Sequence, residues 1–190
     1  LTYRTPVFLL SDGYLANGSE PWKVPSVDEL PDISVQFATE PNAEDGTFLP
    51  YRRDAQTLAR PWAVPGTPGL EHRVGGIEKA DKTGNISYDP DNHDFMVRTR
   101  QAKVDAIARS YAPMTVEDPQ GDATVLVLGW GSTYGPIGAA CRHVRARGAS
   151  IAQAPLRHLN PFPNDLGEIL SRYGRVLVPD HLKHFAHLKG

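Results

Sequence analysis

Gly129-Trp130-Gly131-Ser132-Thr133-Tyr134-Gly135 is the stretch whose residue types best suit binding chemistry. Its glycines allow positive φ and close backbone approach. Ser132 or Thr133 can cap a helix opening near Pro136, and N–H groups at a helix N-terminus after a parallel strand form a natural phosphate cradle. The spacing restrains that reading. No Gly-Lys-Ser or Gly-Lys-Thr follows, so this is not a P-loop, and Gly-x-Gly-x-x-x-Gly is not the dinucleotide fingerprint. A dinucleotide site would also want an acid for the ribose, yet positions 149 to 158 contain no Asp or Glu, leaving only Arg157 for a 2′-phosphate. Two readings therefore stand: a nucleotide-binding Rossmann-like module using Gly129 to Gly135, or a tight strand-to-helix turn that packs the helix on its sheet.

The remaining reactive residue types form no catalytic set. His181, His184 and His187 recur every three residues, but no carboxylate ligand lies close behind, and solvated histidines are the expectation. Cys141 shares a helical face with Ile137, Ala140 and Val144, so it should be buried and unreactive. His72, Glu78, Asp81, His93 and Arg100 lie between Gly69 and the end of the next helix without the spacing of a nucleophile, base and orienter. Asp12-Gly13 with Asn17 distantly resembles the magnesium-holding Gly-Asp-Gly and Asn elements of thiamine-diphosphate enzymes. The interval is far too short and serine replaces the first glycine, so an Asx turn is expected. No catalytic, cofactor-binding or metal-ligating residue is assigned in this chain.

The elements that would position these residues are clearest at the C-terminal side. Thr124 to Leu128 is an apolar, partly β-branched run suited to a buried strand, and Ile137, Ala140, Cys141 and Val144 give the next helix an apolar face. Arg142, His143, Arg145 and Arg147 crowd its last turns, where the dipole favours cations, and Gly148 ends it. Ala149 to Ala154 is the next strand, followed by a loop with Arg157 and His158. A helix capped by Asn164 or Asp165 carries Leu166, Ile169, Leu170 and Tyr173, and Gly174 precedes a strand over Arg175 to Val178. This β-α-β-α-β order predicts an α/β fold with a parallel sheet too small to be covered on both faces.

Upstream, Thr5 to Leu10 reads as a buried strand. From Pro21 to Pro68 closely spaced prolines exclude a long helix, and Trp22, Phe37, Phe48, Tyr51 and Trp62 make an arm laid over another surface the better reading than a flexible linker. Gly69 to Pro90 is turn-rich. A helix then starts at Asp91 or Asn92 and runs to about Ala112, with Val97, Val104, Ile107 and Tyr111 as its apolar stripe.

The 190 residues are 40% hydrophobic, enough for a core, and the net charge of −2 leaves no basic surplus for nucleic acid or an acidic membrane. A single cysteine excludes an internal disulfide and cannot by itself hold an iron–sulfur cluster or structural zinc. With no run of eighteen apolar residues and no signal pattern, a soluble, cytoplasmic chain is expected. Leu1 in place of methionine suggests a piece of something longer.

A resemblance carries the reading further. TPVFLLSDGYLANGSEPW, RPWAVPGTPGLEHRVGGIEKADKTGNISYDPDNHDFMVRTRQAKVDAIA and VLVLGWGSTYGPIGAACRHVRARG resemble the α subunit of 2-oxoacid:ferredoxin oxidoreductases, most of all the 2-oxoglutarate enzymes of actinobacterial type. The likeness reaches to about Asp180. It implies that residues 1–22 end a pyrimidine-binding (thiamine diphosphate) domain, that 23–90 are a proline- and glycine-rich linking arm, and that 91–190 form a transketolase C-terminal-like domain whose final strands are missing. It also implies oxidative decarboxylation of a 2-oxoacid to acyl-CoA with ferredoxin reduction. Thiamine diphosphate, Mg and a [4Fe–4S] cluster would sit largely on a β subunit, with ferredoxin, CoA and 2-oxoacid engaged by the complex. This chain alone would be inactive, a scaffold and subunit contact. Two departures stand out: Glu78-Lys79-Ala80-Asp81 where many relatives carry Glu-His-Asp, and Val178-Pro179-Asp180 running into a His-rich end. A non-enzymatic interaction domain is the remaining alternative.

Overall fold

The computed structural model describes residues 1–73 and 76–179. Its helices are α1 (Gly13–Asn17), α2 (Pro90–Ile107), α3 (Tyr134–Arg145) and α4 (Leu166–Ser171), and its strands are β1 (Val125–Trp130), β2 (Ile151–Leu156) and β3 (Arg175–Leu177). By their contacts the residues divide into two units, Leu1–Val7 with Lys23–Ile107, and Phe8–Trp22 with Ala108–Gly190.

The second unit has the expected β-α-β-α-β order. Its strands form a parallel sheet in the order β2-β1-β3, with Leu126 opposite Ala152 and Val176. Alternation along the strands sends neighbouring residues to opposite faces. On one face Leu126, Leu128, Ala152, Ala154 and Leu156 pack with Ile169 of α4. On the other, Val127 packs with Ile137 and Cys141 of α3. The elements are those the periodicity predicts, with bounds shifted by about two residues, because strand pairing continues to Gly129↔Pro155 and Trp130↔Leu156.

The apolar face of α3 divides. Ile137, Gly138 and Cys141 are buried, whereas Ala140 and Val144 line an open groove of about 370 Å³ beside Val127, Ile151 and Leu177. β3 is exposed at each residue. Arg145 does more than answer the helix dipole: its guanidinium donates to the carbonyls of Ile151 (2.7 Å) and Glu117 (2.8 Å), tying α3 to β2.

Thr5 to Leu10 carries no strand, which corrects the sequence expectation. No strand pairs with it among the described residues, and Phe8 and Leu9 are 87% and 93% exposed. Apolar composition alone cannot make a strand without a neighbouring ladder.

In the first unit α2 begins at Pro90, earlier than expected. The Asp89 carboxylate accepts from the Asp91 N–H (3.0 Å), so Asp89 caps the helix and Pro90 takes the first position, where its missing N–H costs nothing. Asn92 is not the cap. Its side chain accepts from Asp81 N–H and donates to the Lys79 carbonyl, both at 3.0 Å, clamping the turn before the helix. The apolar stripe also differs: Met96 and Ala106 are buried, whereas Val97 is exposed. The helix ends at Ile107 and passes into a 3-10 turn over Ala108–Ser110.

The proline-rich segment in this unit has little regular structure but is not devoid of interior. Phe48, Ala59 and Leu70 are buried, and short bridges join Ala38 to Ala63, Tyr51 to Lys82 and Lys79 to Ile86. Much of the remaining order comes from side chains bonding to backbone. Asn42 exchanges two bonds with Leu49 (2.7 and 3.1 Å), and Arg4 donates to the carbonyls of Arg60 and Gln36, both at 2.7 Å.

Candidate functional site

The glycine turn joins β1 to α3, and its glycines have different reasons for being there. A Cβ on Gly129 would lie 2.3 Å from Ile137 Cδ1 and 2.7 Å from Thr133 Oγ1, so the close approach of α3 to β1 requires glycine. Gly131 has φ +58°, a left-handed conformation that glycine adopts without strain. Gly135 faces open space.

The hydroxyls that would help cradle a phosphate are otherwise engaged. Thr133 is buried and donates to the Trp130 carbonyl at 2.6 Å, rather than capping α3. Ser132 donates to the Asp12 carboxylate. Tyr134 donates to the Glu117 carboxylate at 2.8 Å, and that bond with the adjacent negative charge holds the phenol above its ordinary pKa. Two carboxylates thus stand where a phosphate would bring like charge. Arg157 is exposed beyond β2, and His158 stacks on Tyr111 with ring centroids 3.7 Å apart. The geometry supports a packing turn.

Asp12 behaves as a turn residue: its carboxylate accepts from Leu15 N–H at 3.0 Å and caps α1. Cys141 is buried as expected, and burial pushes its thiol pKa up, away from the reactive thiolate. Under α3, the buried Gln153 donates to the Tyr134 carbonyl at 3.1 Å while its Oε1 has no partner. His181, His184 and His187 lie outside the described residues. No group of three His, Cys, Asp or Glu side chains suited to a metal occurs among the described residues.

Within the first unit some of the polar residues singled out by sequence do converge. Glu78 bonds His93 at 2.6 Å and Arg100 at 3.3 Å, and chiefly these two bonds, Arg100 first, lower its pKa to about 2. Asp81 instead pairs with Arg53 at 2.9 Å, and His72 Nδ1 lies 2.7 Å from the Leu70 carbonyl, its ring tilted against Phe48. The Glu78, His93 and Arg100 set is an ion-pair cluster without a nucleophile. Sequence reasoning missed Arg4, Arg53, Arg60 and Lys103, which meet around Tyr51 from four separate places in the chain. Their only sequence signal was charge beside aromatic residues in a proline-rich setting.

The fold and its turn define a parallel-sheet α/β unit with no catalytic constellation of its own among the described residues. No family model matches the chain. It is 57% identical over 183 residues, 95% of its length, to the 2-oxoglutarate oxidoreductase subunit KorA of Mycobacterium tuberculosis, of which it covers 27%. It is 31% identical over 179 residues to subunit alpha of 2-oxoacid:ferredoxin oxidoreductase 1 of Aeropyrum pernix, covering 90% of this chain and 26% of that protein. A solved structure of the 2-oxoglutarate:ferredoxin oxidoreductase from Magnetococcus marinus, with 2-oxoglutarate, coenzyme A and succinyl-CoA bound, matches at a TM-score of 0.63 and 31% identity, over 74% of this chain and 24% of that one. The resemblance read from the sequence is borne out: nearly the whole chain aligns with 2-oxoacid:ferredoxin oxidoreductase α subunits. It spans about a quarter of the length of the curated relatives it matches.

Proposed function

We propose that this chain is part of the α subunit of a 2-oxoglutarate:ferredoxin oxidoreductase, where it serves as scaffold and subunit contact rather than as the reacting centre. The observation that carries this is the 57% identity to KorA across 95% of the chain. Residues 1–22 would close a pyrimidine-binding domain, 23–90 would be the linking arm, and 91–190 would be transketolase C-terminal-like. The enzyme as a whole would convert a 2-oxoacid and CoA to acyl-CoA, reduce ferredoxin and work in the cytoplasm. No helix among the described residues is long and apolar enough to cross a membrane.

The residues here do not fit the cofactors such an enzyme uses. One buried cysteine cannot supply the thiolates of a [4Fe–4S] cluster, and Asp12 is committed to the α1 cap and Ser132. Thiamine diphosphate, Mg and the cluster are therefore assigned to other parts of the complex, including a β subunit. The exposed Val7, Phe8, Leu9, Leu10 and Trp22, with the open β3, supply apolar surface of the kind that a subunit covers.

Co-expression with a β subunit, followed by sedimentation and a turnover assay with an artificial electron acceptor, tests the proposal. The isolated chain should neither turn over 2-oxoglutarate nor bind thiamine diphosphate as a cofactor, and should associate with the β subunit. Unaided turnover would overturn the assignment. The nucleotide-module alternative is read separately by calorimetry with NAD, NADP and ATP. No heat that depends on the glycine turn is expected, and binding abolished by Gly131→Val would revive it.

A further inference from the structure

Six cationic side chains, Arg4, Arg53, Arg60, Lys79, Arg100 and Lys103, line one cavity of about 500 Å³ in the first unit, with Glu78 as the sole carboxylate residue in its wall. This concentration stands out in a chain whose net charge is −2. Glu78 is already engaged by Arg100 and His93, and Asp81 by Arg53. Arg4, Arg60, Lys79 and Lys103 have no carboxylate partner among the described residues. They donate instead to backbone carbonyls: Arg4 to Arg60 and Gln36, Arg60 to Pro50, Lys79 to Ile77 and Lys103 to Arg4.

These cations are held in place. The Arg53 side chain is only 10% exposed and donates to Asp81. The guanidiniums of Arg60 and Arg53 lie 4.1 and 5.7 Å from the Tyr51 ring centroid, and that of Arg4 lies 5.0 Å from Trp62. Aromatic faces and carbonyl oxygens orient Arg4 and Arg60 without cancelling their charge, whereas Arg53 is partly balanced by Asp81. The strain of gathering them registers at Lys103, whose pKa falls through burial and then through repulsion from Arg60, Arg53 and Arg4.

Like charges assembled around one space repel, and an anion there reverses the sign of several interactions at once. The cavity falls within the roughly 300–1,000 Å³ of small-molecule sites. Fixed guanidinium forks match the oxygens of phosphate in paired hydrogen bonds, and several together call for more than one negative charge. We propose that this cavity binds a multiply charged phosphate-class anion, a diphosphate or phosphate ester, through Arg53, Arg60 and Lys103, with Arg4 beside them. The site is independent of the α-subunit assignment, so either can fail without the other.

Titration calorimetry of the full chain with inorganic pyrophosphate, with citrate as a carboxylate comparator, tests this. Pyrophosphate should bind with saturable heat, raise the melting temperature and weaken with added salt. Arg60→Gln and Lys103→Met should each weaken binding about tenfold, the scale of one charge-assisted bond. Arg172→Gln, in the other unit and paired with Glu168, should leave binding unchanged. Binding should also weaken as pH rises through the lowered pKa of Lys103, and Lys103→Met should lose that part of the dependence. Absence of heat and of a melting shift, equal weakening by Arg172→Gln, or citrate binding as tightly as pyrophosphate would each overturn the proposal. If a variant fails to fold, the salt, citrate and melting measurements on the native chain still decide the outcome.

Discussion

In the unit from Ala108 onward, order comes from a parallel ladder and an apolar interior in which Leu126, Ala152 and Ala154 are fully buried. In the unit from Lys23 to Ile107, order comes from α2 and from polar side chains that bond to backbone, with Asn42, Asn92 and Arg4 each joining separated stretches. The first device is cooperative and repetitive, since every strand residue finds a partner by register. The second is assembled bond by bond. Truncating an aliphatic side chain should therefore matter most in the former, and removing a polar one should matter most in the latter.

The largest effect is expected at Leu126, which is buried without residue in the centre of the sheet and touches the α4 side of the core. Leu126→Ala should cost roughly 2–5 kcal/mol by lost burial and the cavity left behind. Denaturant melts would register it, and a loss under about 1 kcal/mol would mean that the site collapses freely and the ladder alone holds the unit.

A smaller loss is expected at Gly129. An added methyl would meet Ile137 Cδ1 and Thr133 Oγ1 at distances that force a shift, so Gly129→Ala should cost about 1–3 kcal/mol. Gly135→Ala, placed in open space nearby, is the control and should be close to neutral. Equal effects would break the argument that close packing, rather than ligand binding, fixes the turn.

The contrast also explains what could be read from sequence. β1, α3, β2 and α4 announce themselves because burial imposes an apolar run on a strand and a period on a helix face, as Val125 to Leu128 and Leu166 to Tyr173 display. Thr5 to Leu10 shows why composition misleads: its apolar residues look like a strand, but pairing depends on a neighbour that the local sequence does not encode. The convergence of Arg4, Arg53, Arg60 and Lys103 was illegible for the same reason. Their meeting depends on turns and carbonyl contacts among residues as many as 99 positions apart, with no period to betray it. Glu117 was hidden likewise, since its partner Tyr134 lies 17 residues on.

In the polar unit, Asn92→Ala removes both a donor and an acceptor from the turn before α2, leaving Asp81 N–H and the Lys79 carbonyl to water. The cost should be about 1–2 kcal/mol, as the turn is partly exposed and water replaces some of what is lost. Hydrogen exchange would sharpen the comparison. Amides around Asp81 and α2 should lose protection while those of β1 and β2 keep theirs. Uniform loss across both groups would show that the two units open as one.

The smallest expected effect is electrostatic and concerns Glu78. Bonds from Arg100 and His93 lower its folded pKa from 4.5 to about 2, so the unfolded chain takes up a proton that the folded chain refuses over that interval. The sign follows from linkage: the contribution is complete above the unfolded value and is lost as pH falls through about 4 toward 2. Its size is limited, because His93 and Arg100 are more than half exposed and solvent screens exposed pairs. Acid titration of stability should therefore show a shallow decline in that window, shallower still at high salt. Glu78→Gln should flatten it, whereas Glu168→Gln, removing a carboxylate from an exposed surface pair in α4, should change it less. If Glu78→Gln leaves the slope intact, the cluster is surface decoration, and the polar unit owes its order to neutral hydrogen bonds instead of charge.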